Sequence, residues 1–262
     1  MEQPQSSYIG RHAQFYDFFY ADKPYKKEAE FVHSCLQRYS LGPAKHILEL
    51  ACGTGTHSFL LEKKGYEVIA IDYSEDMLNR AREKAEVAGS RVDFRRQDMR
   101  TLDIPERPFD AVICLFDSIG YVATNENIKR VFSNVHTHLR DGGLFIFEFW
   151  HAGAMIRGYD PQRVRRFQTP QSEIVRISDT TIDYSEQLCY VSYTIIEMNA
   201  NGTYQTLHET QINRFFLVKE MGLFLESAKL SPLEWFAGFQ EERQIDEDVW
   251  HIVAVVRKDE NK

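Results

Sequence analysis

Residues 47–55 read ILELACGTG, and residues 68–74 read VIAIDYS. The first stretch predicts a short buried strand that carries Glu49, followed by a glycine-containing turn and a helix, and the second predicts a strand that ends in Asp72. Glycine in such a turn lets the backbone approach a ligand closely. A carboxylate at the tip of the second strand can accept hydrogen bonds from both hydroxyls of a ribose. The two segments together therefore predict a nucleoside-containing cofactor at the carboxyl ends of parallel strands.

Details of the turn distinguish two classes of cofactor. A dinucleotide site has the pattern G-x-G-x-x-G, whose helix binds a pyrophosphate. Gly53 and Gly55 are present, but Ser58 occupies the third glycine position, and Glu49 would repel a pyrophosphate. An acid at this strand tip suits a cationic amino-acid tail instead. The segment ELACGTGT resembles the first motif of the class I S-adenosylmethionine (SAM) methyltransferases, with Ala51 in place of that motif's first glycine. The alternative is an ordinary strand–helix turn in another α/β protein.

Composition and charge exclude several classes of partner. The chain has 262 residues, of which 43% are hydrophobic, and this is enough for a packed core. Its net charge of −8 disfavours nucleic acid, which requires a basic surface. Because the sequence has no apolar run of about 18 residues, we expect no membrane partner. The first twelve residues lack an apolar signal core, which favours a cytoplasmic protein.

The cysteines and histidines show no metal-binding pattern, so we expect no metal ion. His136 and His138 lie close in sequence but point to different sides of a helix. The cysteines are far apart and form no C-x-x-C motif, which is typical of buried thiols in a reduced compartment. The four cysteines are Cys35, Cys52, Cys114 and Cys189.

Strands alternate with helices through the first 150 residues. Continuous apolar strands between helices indicate a parallel sheet that is buried on both faces. We therefore predict an α/β fold with a doubly wound, Rossmann-like and mostly parallel sheet. The segments EWFAGFQE and VWHIVAVVRK resemble the closing antiparallel pair of the class I methyltransferase sheet, and this resemblance implies seven strands in all. The predicted strands of the first part are 46–50, 66–72, 92–94, 110–116 and 144–150.

A different pattern follows the fifth strand. Residues 172–216 are rich in Ile, Val, Thr and Tyr at near-alternating positions, and Asn201-Gly202 is a strong hairpin signal. We predict an antiparallel insertion of three strands, at 173–183, 187–199 and 203–216. The insertion is expected to belong to one domain that spans residues 1–262. The locally basic segment 163–167 is interpreted as solvated surface.

Aromatic residues are concentrated near the N-terminus, within residues 8–25. A helix that packs them against the core is one interpretation, and a lid of helices at 8–40 over the cofactor is the other. Aromatic faces and tyrosine hydroxyls suit a sulfonium through cation–π attraction. The residues are Tyr8, Phe15, Tyr16, Phe18, Phe19, Tyr20 and Tyr25.

Several further segments resemble the small-molecule SAM methyltransferases. HAQFYDFFY and KKEAEF are similar to their N-terminal helices, IDYSEDML to their second-strand motif, and RRQDMRTL to their third. DAVICLFDSIGYV is most similar to the sugar N-methyltransferases of macrolide biosynthesis, in which an S-I-G segment also occurs. The insertion resembles theirs and, more broadly, that of the glycine N-methyltransferases. The resemblance implies the class I methyltransferase fold, SAM as cofactor and S-adenosylhomocysteine as its product.

The resemblance also implies contacts with the methionyl and ribose parts of SAM. Glu49 and the backbone carbonyl of Leu115 would meet the methionyl amine. The turn at Ala51 and Gly53 would lie beside the methionyl group. Asp72 would bind the ribose hydroxyls, and we expect its carboxylate at a solvent-facing strand end.

The adenine contacts and the lid follow from the same resemblance. Tyr73 and Met77 would pack on the adenine, although Met77 also suits a core position and Tyr73 an exposed one. Asp98 would accept from the adenine amine with the backbone N–H of Met99 nearby, although Asp98 also suits a turn. Tyr16 would close the site from the N-terminal helix.

The methyl acceptor should lie near the carboxyl ends of the fourth and fifth strands. Candidate groups there are Asp117, Tyr121, Glu148 and His151. His151 has the pKa range of a general base, whereas Tyr121 could orient the acceptor. The two acids, Asp117 and Glu148, are expected to form an acidic rim that attracts an amine. We therefore predict methyl transfer to an amine of a small molecule, with an amino sugar as one candidate.

Other functions stay open on the sequence alone. O-methylation of a small molecule would need a firmer base such as His151. A SAM-binding protein without catalysis is an alternative from a different class, and a nicotinamide-dependent enzyme is a more distant one. The insertion is expected to pair two subunits into a homodimer.

Overall fold

The protein combines a central mixed sheet with a smaller antiparallel sheet. The structure, a computed structural model, describes residues 8, 10–106 and 108–259, without the side chains of residues 11 and 12. The helices are α1 (Arg11–Phe19), α2 (Tyr25–Tyr39), α3 (Thr56–Glu62), α4 (Glu75–Ala88), α5 (Asn125–His138), α6 (Ala152–Gly158) and α7 (Val218–Ser227). The strands are β1 (His46–Leu50), β2 (Glu67–Asp72), β3 (Asp93–Arg96), β4 (Phe109–Cys114), β5 (Leu139–Trp150), β6 (Gln162–Gln168), β7 (Ser172–Asp183), β8 (Leu188–Asn199), β9 (Tyr204–Arg214), β10 (Leu230–Ala237) and β11 (His251–Lys258).

The central sheet has seven strands in the order β3-β2-β1-β4-β5-β11-β10. Strands β1 to β5 are parallel, and β11 and β10 run antiparallel to them. The predicted Rossmann-like architecture is therefore confirmed. Strand order reverses between β1 and β4, and α/β sheets bind their ligands outside the strand ends at such a point.

Both faces of the central sheet are covered by apolar side chains. Val131 and Phe132 of α5 pack with Leu225 of α7 on one face. Val32 of α2 and Leu78 of α4 belong to the core on the other face. The strands between these layers are continuously apolar because they are buried on both sides. This rigid platform fixes the positions of the loops at its carboxyl edge.

The inserted sheet, which we call the roof sheet, consists of β6 to β9 in sequential antiparallel order. It has four strands where the sequence indicated three. Strand β6 was missed because it is an arginine-rich edge strand in which only Phe167 is partly buried, a composition that protects an exposed sheet edge. The turn at Asn201-Gly202 joins β8 to β9 as predicted, and Gly202 adopts φ 85°.

Helix α1 lies between the central sheet and the inner face of the roof sheet. Phe18 and Phe19 pack against Phe167 of β6 at ring-centroid distances of 5.5 and 5.0 Å. The opposite side of α1 carries Tyr16, which contacts Met77 of α4. In the part of the chain that the structure describes, no helix is long and apolar enough to cross a membrane.

Candidate active site

A turn of left-handed residues follows β1. Ala51, Gly53 and Gly55 have φ values of 52°, 57° and 77°. A Cβ at Gly53 would lie 3.2 Å from the methyl carbon of Met77, and a Cβ at Gly55 would lie 2.6 Å from the ring of Phe94. Glycine is required at position 55 in particular, because a side chain there would collide with the buried ring of Phe94. Ala51 adopts a conformation that disfavours non-glycine residues, so this turn stores some strain.

Asp72 holds this turn in place. One of its carboxylate oxygens, Oδ2, accepts the Gly53 N–H at 2.8 Å, and the other, Oδ1, accepts the Ser74 N–H at 2.8 Å. The expectation of a solvent-facing carboxylate was wrong, because Asp72 is buried by the turn that it binds. Burial raises the pKa of Asp72 from its ordinary value of 3.8 to about 6. Each carboxylate oxygen has a second acceptor position, so the group can still bind hydroxyls.

Glu49 is buried behind the turn, at the end of a polar chain that the sequence did not reveal. Its carboxylate accepts a hydrogen bond from Ser58 Oγ, and its Oε1 lies 4.0 Å from His57 Nδ1. The opposite nitrogen of His57 lies 2.7 Å from Glu28 Oε2, and Glu28 in turn pairs with Lys23. Burial raises the pKa of Glu49, with the nearby His57 opposing that rise.

A cavity of about 30 Å³ lies against Glu49. Tyr16, Ala51 and Leu115, all predicted to belong to the site, line it together with Phe116. Pockets for small molecules measure about 300–1,000 Å³, so the site is closed in this structure. Tyr16 of α1 and Tyr25 of α2 contribute aromatic side chains to the lining of this cavity.

Contacts between the N-terminal segment and the turn keep the site closed. Asp17 of α1 accepts a hydrogen bond from Thr54 Oγ1 at 2.5 Å, and Lys84 Nζ of α4 lies 3.1 Å from Asp17 Oδ1. Ser74 Oγ donates to the backbone carbonyl of Tyr8 at 2.8 Å. These are polar contacts at a partly exposed edge, and such contacts contribute modestly to stability.

The predicted adenine contacts are only partly assembled. Met77 is buried next to Tyr16 and Gly53, whereas Tyr73 is 41% exposed. The carboxylate of Asp98 is engaged by Arg100, whose Nε lies 3.0 and 2.9 Å from its two oxygens. Burial acts to raise the pKa of Asp98, but Arg100 outweighs it and holds that pKa below its ordinary range.

Met99 opens a short 3₁₀ helix that packs toward α5. Its side chain belongs to the core on that face of the central sheet, and its carbonyl accepts a hydrogen bond from the Asn134 side chain at 2.9 Å. The structure therefore places Met99 beside the turn after β3. Its contact with the adenine stays a prediction.

A strained turn after β4 carries the candidate acids. Phe116 and Asp117 both have positive φ, 59° and 56°. Glu148 Oε2 accepts the Phe116 N–H at 2.6 Å, and Asp117 Oδ1 accepts the Trp150 N–H at 2.7 Å. Both acids are buried, so the expected acidic rim is wrong. Their carboxylates instead accept backbone N–H groups of this turn and of the end of β5. Burial, with the nearby Glu148, raises the pKa of Asp117 well above its ordinary value.

Tyr121 and His151 lie in different surroundings. The Tyr121 hydroxyl is 2.7 Å from the Tyr8 hydroxyl and donates to Gln211 Oε1 of the roof sheet at 3.2 Å. His151 Nδ1 lies 3.1 Å from the carbonyl of Val249, and its ring fills the space beside Gly153. Among the contacts that the structure describes, none joins His151 to Tyr121 or to the cavity at Glu49. The structure therefore places the two candidates, His151 as a base and Tyr121 as an orienting group, apart from each other, and their roles stay predictions.

A group of tyrosines fills the space between α1, Tyr121 and the roof sheet. We call it the tyrosine cluster: Tyr8, Tyr16, Tyr20, Tyr121 and Tyr193. The rings of Tyr16 and Tyr20 are 4.9 Å apart, and those of Tyr8 and Tyr16 are 5.5 Å apart. Burial raises the pKa of Tyr121 well above its ordinary value, so its hydroxyl stays protonated at neutral pH.

Comparison with known proteins agrees with this fold and turn. Residues 47–143 match a family model described as a methyltransferase domain. A protein of Geobacillus sp. (strain WCH70) named as a methyltransferase is 34% identical over 247 residues, which cover 79% of this chain and 98% of that relative. The chain belongs to the class I SAM-dependent methyltransferases, so it is an enzyme that uses SAM as its cofactor.

Two further similarities concern members of this class. A dTDP-4-amino-2,3,4,6-tetradeoxy-D-glucose N,N-dimethyltransferase of Saccharopolyspora spinosa is 28% identical over 235 residues, 88% of this chain and 87% of that relative. The crystal structure of a SAM-dependent methyltransferase from Clostridium acetobutylicum superposes with a TM-score of 0.81 at 23% identity, covering 95% of this chain and 98% of that one. The second comparison supports the fold, including the roof sheet, over nearly the whole chain.

Proposed function

We propose that the protein transfers a methyl group from SAM to an amine of a small molecule, with an amino sugar as the leading candidate. SAM supplies a methyl group on a sulfonium that is already activated for transfer. The protein's task is therefore to align an acceptor and to exclude water. The amino-sugar methyltransferase of Saccharopolyspora spinosa, which is similar along most of its length, supports this acceptor class.

The residues around the glycine turn fit SAM. Gly53 leaves space for a ligand beside Met77 that a Cβ at this position would reduce. Asp72 retains acceptor positions for ribose hydroxyls. The buried carboxylate of Glu49 faces the small cavity that Leu115 and Tyr16 also line. A buried acid that has no permanently charged cation beside it suits the methionyl amine, which would supply that charge. We assign Gly53, Met77, Asp72, Glu49, Leu115 and Tyr16, together with Ala51, to cofactor binding. Tyr73, Asp98 and Met99 complete the proposed site at the adenine end.

The observation that favours an amine over a hydroxyl is the state of the groups near Tyr121. A hydroxyl acceptor needs a base, whereas a neutral amine attacks with its own lone pair. Tyrosine hydroxyls are protonated at neutral pH, and burial raises the pKa values of Tyr121 and Tyr8 still further above their ordinary value of 10.0, so neither hydroxyl can act as the base. His151 is turned toward the carbonyl of Val249. The aromatic faces of the tyrosine cluster also suit a cationic ammonium product.

Within this proposal Tyr121 orients the acceptor. Its hydroxyl is held by Tyr8 and Gln211, so the direction of its remaining acceptor position is fixed. An amine that donates a hydrogen bond to the hydroxyl oxygen of Tyr121 would point its own lone pair away from Tyr121. His151 supports the backbone at the end of β5 and takes no proton.

We also propose a location and an assembly state for the protein. Its four cysteines are buried and unpaired, which suits the reduced cytoplasm. The outer face of the roof sheet carries partly exposed apolar residues, including Val175, Ile177 and Ile196, and we propose it as the homodimer interface. Equilibrium sedimentation of the wild-type protein and of an Ile177→Lys variant tests this, because a monomer in both would contradict it.

Turnover of an amine panel tests the proposed function. Calorimetry first establishes SAM binding, and release of S-adenosylhomocysteine is then measured with amino sugars, small amines, phenols and sugar alcohols. We expect turnover of amines that rises with pH as the amine loses its proton. Faster turnover of phenols or alcohols with a flat pH profile would favour O-methylation. Tight SAM binding without turnover of either class would indicate a non-catalytic SAM-binding protein.

A further inference from the structure

His57 lies between two buried carboxylates behind the glycine turn. Its Nε2 atom is 2.7 Å from Glu28 Oε2, and its Nδ1 atom is 4.0 Å from Glu49 Oε1. All three side chains are buried. A buried carboxylate is destabilising unless a donor or a cation pairs with it. The imidazole ring is therefore the group that lets both acids occupy this space.

The bond to Glu28 fixes the role of each ring nitrogen. Burial acts to raise the pKa of Glu28, but His57 and Lys23 outweigh it and hold that pKa below its ordinary value. The Glu28 carboxylate is therefore an acceptor at neutral pH, so Nε2 donates to it and Nδ1 is the nitrogen that faces Glu49. The ring of Tyr25 meets the imidazole edge-on, with the ring centroids 4.9 Å apart, and limits its rotation.

Glu49 depends on this second nitrogen for its charge. Its carboxylate accepts from Ser58 Oγ, and no lysine or arginine among the residues that the structure describes forms an ion pair with it. A protonated Nδ1 attracts an ionised Glu49, whereas a bare Nδ1 turns its lone pair toward the carboxylate. One proton between these two groups thus decides whether Glu49 is charged. Held on Nδ1, that proton leaves Glu49 as an anion.

Both groups face the proposed cofactor site. Glu49 and His57 line the cavity of about 30 Å³ together with Tyr25 and Phe116. Glu49 is the one carboxylate among the described residues that line it. The α-amine of SAM is a cation, and an ionised acid attracts a cation far more strongly in a buried site than in water. The charge of Glu49 therefore bears directly on the affinity of this site for an ammonium group.

We propose that His57, fixed by Glu28, keeps Glu49 ionised and directed toward the α-amine of the bound cofactor. This rests on the proposed function, which assigns Glu49 to that amine. His57 is accordingly a positioning residue: it acts through Glu49 and contributes to binding only when the ligand carries the amine. A role in packing alone would affect ligands with and without the amine equally.

The test compares two ligands that differ in this amine: S-adenosylhomocysteine and its analogue in which hydrogen replaces the α-amino group. Both keep the adenosine, the thioether and the carboxylate, and calorimetry measures their affinities without turnover. We expect the wild-type protein to bind S-adenosylhomocysteine about 30-fold more tightly, because the analogue lacks a charge-assisted contact with a buried acid. His57→Leu should reduce this preference to about threefold or less, through weaker binding of S-adenosylhomocysteine.

His33→Leu is the matched control. His33 lies on α2, and its Nδ1 is 2.8 Å from the hydroxyl of Tyr66, so this variant removes a histidine that pairs with a neutral group. It should leave the preference unchanged. His57→Gln is a second variant that preserves folding if the leucine does not, because its amide can still donate to Glu28. It should also lose the preference, since a neutral amide cannot hold a proton for Glu49.

Glu28→Gln tests the other link of the chain. A neutral partner holds the charged imidazole less firmly, so the preference for the amine should fall by about three- to tenfold. The double variant Glu28→Gln/His57→Leu should show no greater loss of preference than His57→Leu alone, because Glu28 acts on Glu49 through His57. Additive losses would show that Glu28 acts independently and would contradict the proposal.

The outcomes separate this proposal from the proposed function. A full preference in folded His57→Leu or His57→Gln protein, or an equal loss of affinity for both ligands, would overturn the role of His57 and leave the assignment of Glu49 intact. No preference in the wild-type protein would overturn the assignment of Glu49 and this proposal with it. The reaction class depends on neither result, because the turnover of amines is measured separately.

Discussion

Asp72 of β2 accepts a hydrogen bond from the backbone N–H of Gly53 at 2.8 Å, so the acid at the tip of one strand fixes the glycine turn that follows its neighbour. The two residues are nineteen positions apart in sequence, and they meet because β1 and β2 pair in parallel, with Leu50 opposite Ile71. One carboxylate thus has a structural role and an assigned role in cofactor binding.

Asp72→Ala should affect both roles. We expect SAM binding to weaken by about 2 kcal/mol or more, because charge-assisted hydrogen bonds to the ribose are lost. The free energy of unfolding should fall by about 1–3 kcal/mol, since two buried N–H groups lose their acceptor. Calorimetry with SAM and urea unfolding measure these changes. Asp93→Ala, which alters an exposed acid of β3, is the control, and unchanged SAM affinity in a folded Asp72→Ala protein would refute the assignment.

The raised pKa of Asp72 predicts opposite pH trends for binding and stability. Its pKa of about 6 in the folded protein exceeds the ordinary 3.8, so the folded state holds an extra proton between these values. The stability contribution of Asp72 is therefore present at low pH and is lost as pH rises through about 6. Buried Glu49 acts in the same direction, while Glu28 and Asp98, whose pKa values are lowered, act in the opposite one.

If the proposed site is right, the ribose hydroxyls of SAM bind the ionised carboxylate of Asp72, and we expect the SAM affinity to fall by about tenfold between pH 7 and pH 5. Calorimetric titrations across this range measure the effect, with Asp72→Asn as the comparison. The variant should bind weakly and show a flatter pH dependence. A wild-type affinity that is constant over the same range would mean that Asp72 does not contact the ligand.

Tyr121 and His151 should differ in their contributions to catalysis. Tyr121→Phe should lower kcat/KM for the acceptor by about 10- to 100-fold, because the orienting hydroxyl is lost, while SAM affinity stays unchanged. His151→Ala should change kcat/KM by only a few-fold in protein that remains folded. A hundredfold loss in His151→Ala together with a flattened pH–rate profile would instead identify His151 as the base.

A close contact with β9 explains why glycine occupies position 120 in the S-I-G segment. A Cβ at this position would lie 1.7 Å from Asn213 Oδ1 and 2.8 Å from the backbone carbonyl of Arg214. Gly120→Ala should therefore destabilise the protein by about 2–3 kcal/mol, as overpacking of a rigid contact does. Gly222→Ala in α7 has open space and should stabilise by about 0.5–1 kcal/mol. Thermal unfolding compares them, and equal melting temperatures would show that β9 is not held against residue 120.

The sequence predicted the elements whose signals are local. The glycine turn, the strand that ends in Asp72 and the hairpin at Asn201-Gly202 all depend on short patterns with a fixed physical meaning. Strand β6 was missed because its arginines mask a strand at an exposed edge. The side-chain interactions of His57 with Glu28 and of Tyr121 with Gln211 link residues 29 and 90 positions apart, and no periodicity encodes such pairs.

Residues at the acceptor end were harder to interpret than those at the cofactor end. His151 has the chemistry of a base, but tertiary packing turns its ring toward Val249. Asp117 and Glu148 have the charge of an acidic rim, but a strained turn draws both inward to satisfy backbone N–H groups. The burial of Arg176 of β7 beside the ring of Phe19 could not be predicted either, since one arginine among alternating strand residues is usually exposed.

The position of the new methyl group on an acceptor that carries both an amine and free hydroxyls is the most direct test of the account. An amino sugar is incubated with the enzyme and SAM, and the product is analysed by mass spectrometry and by carbon–proton correlation NMR. The account predicts methylation at nitrogen, with the hydroxyls unmodified. A methyl group on oxygen, or no transfer to any amino sugar or other amine under conditions where SAM binds, would contradict it.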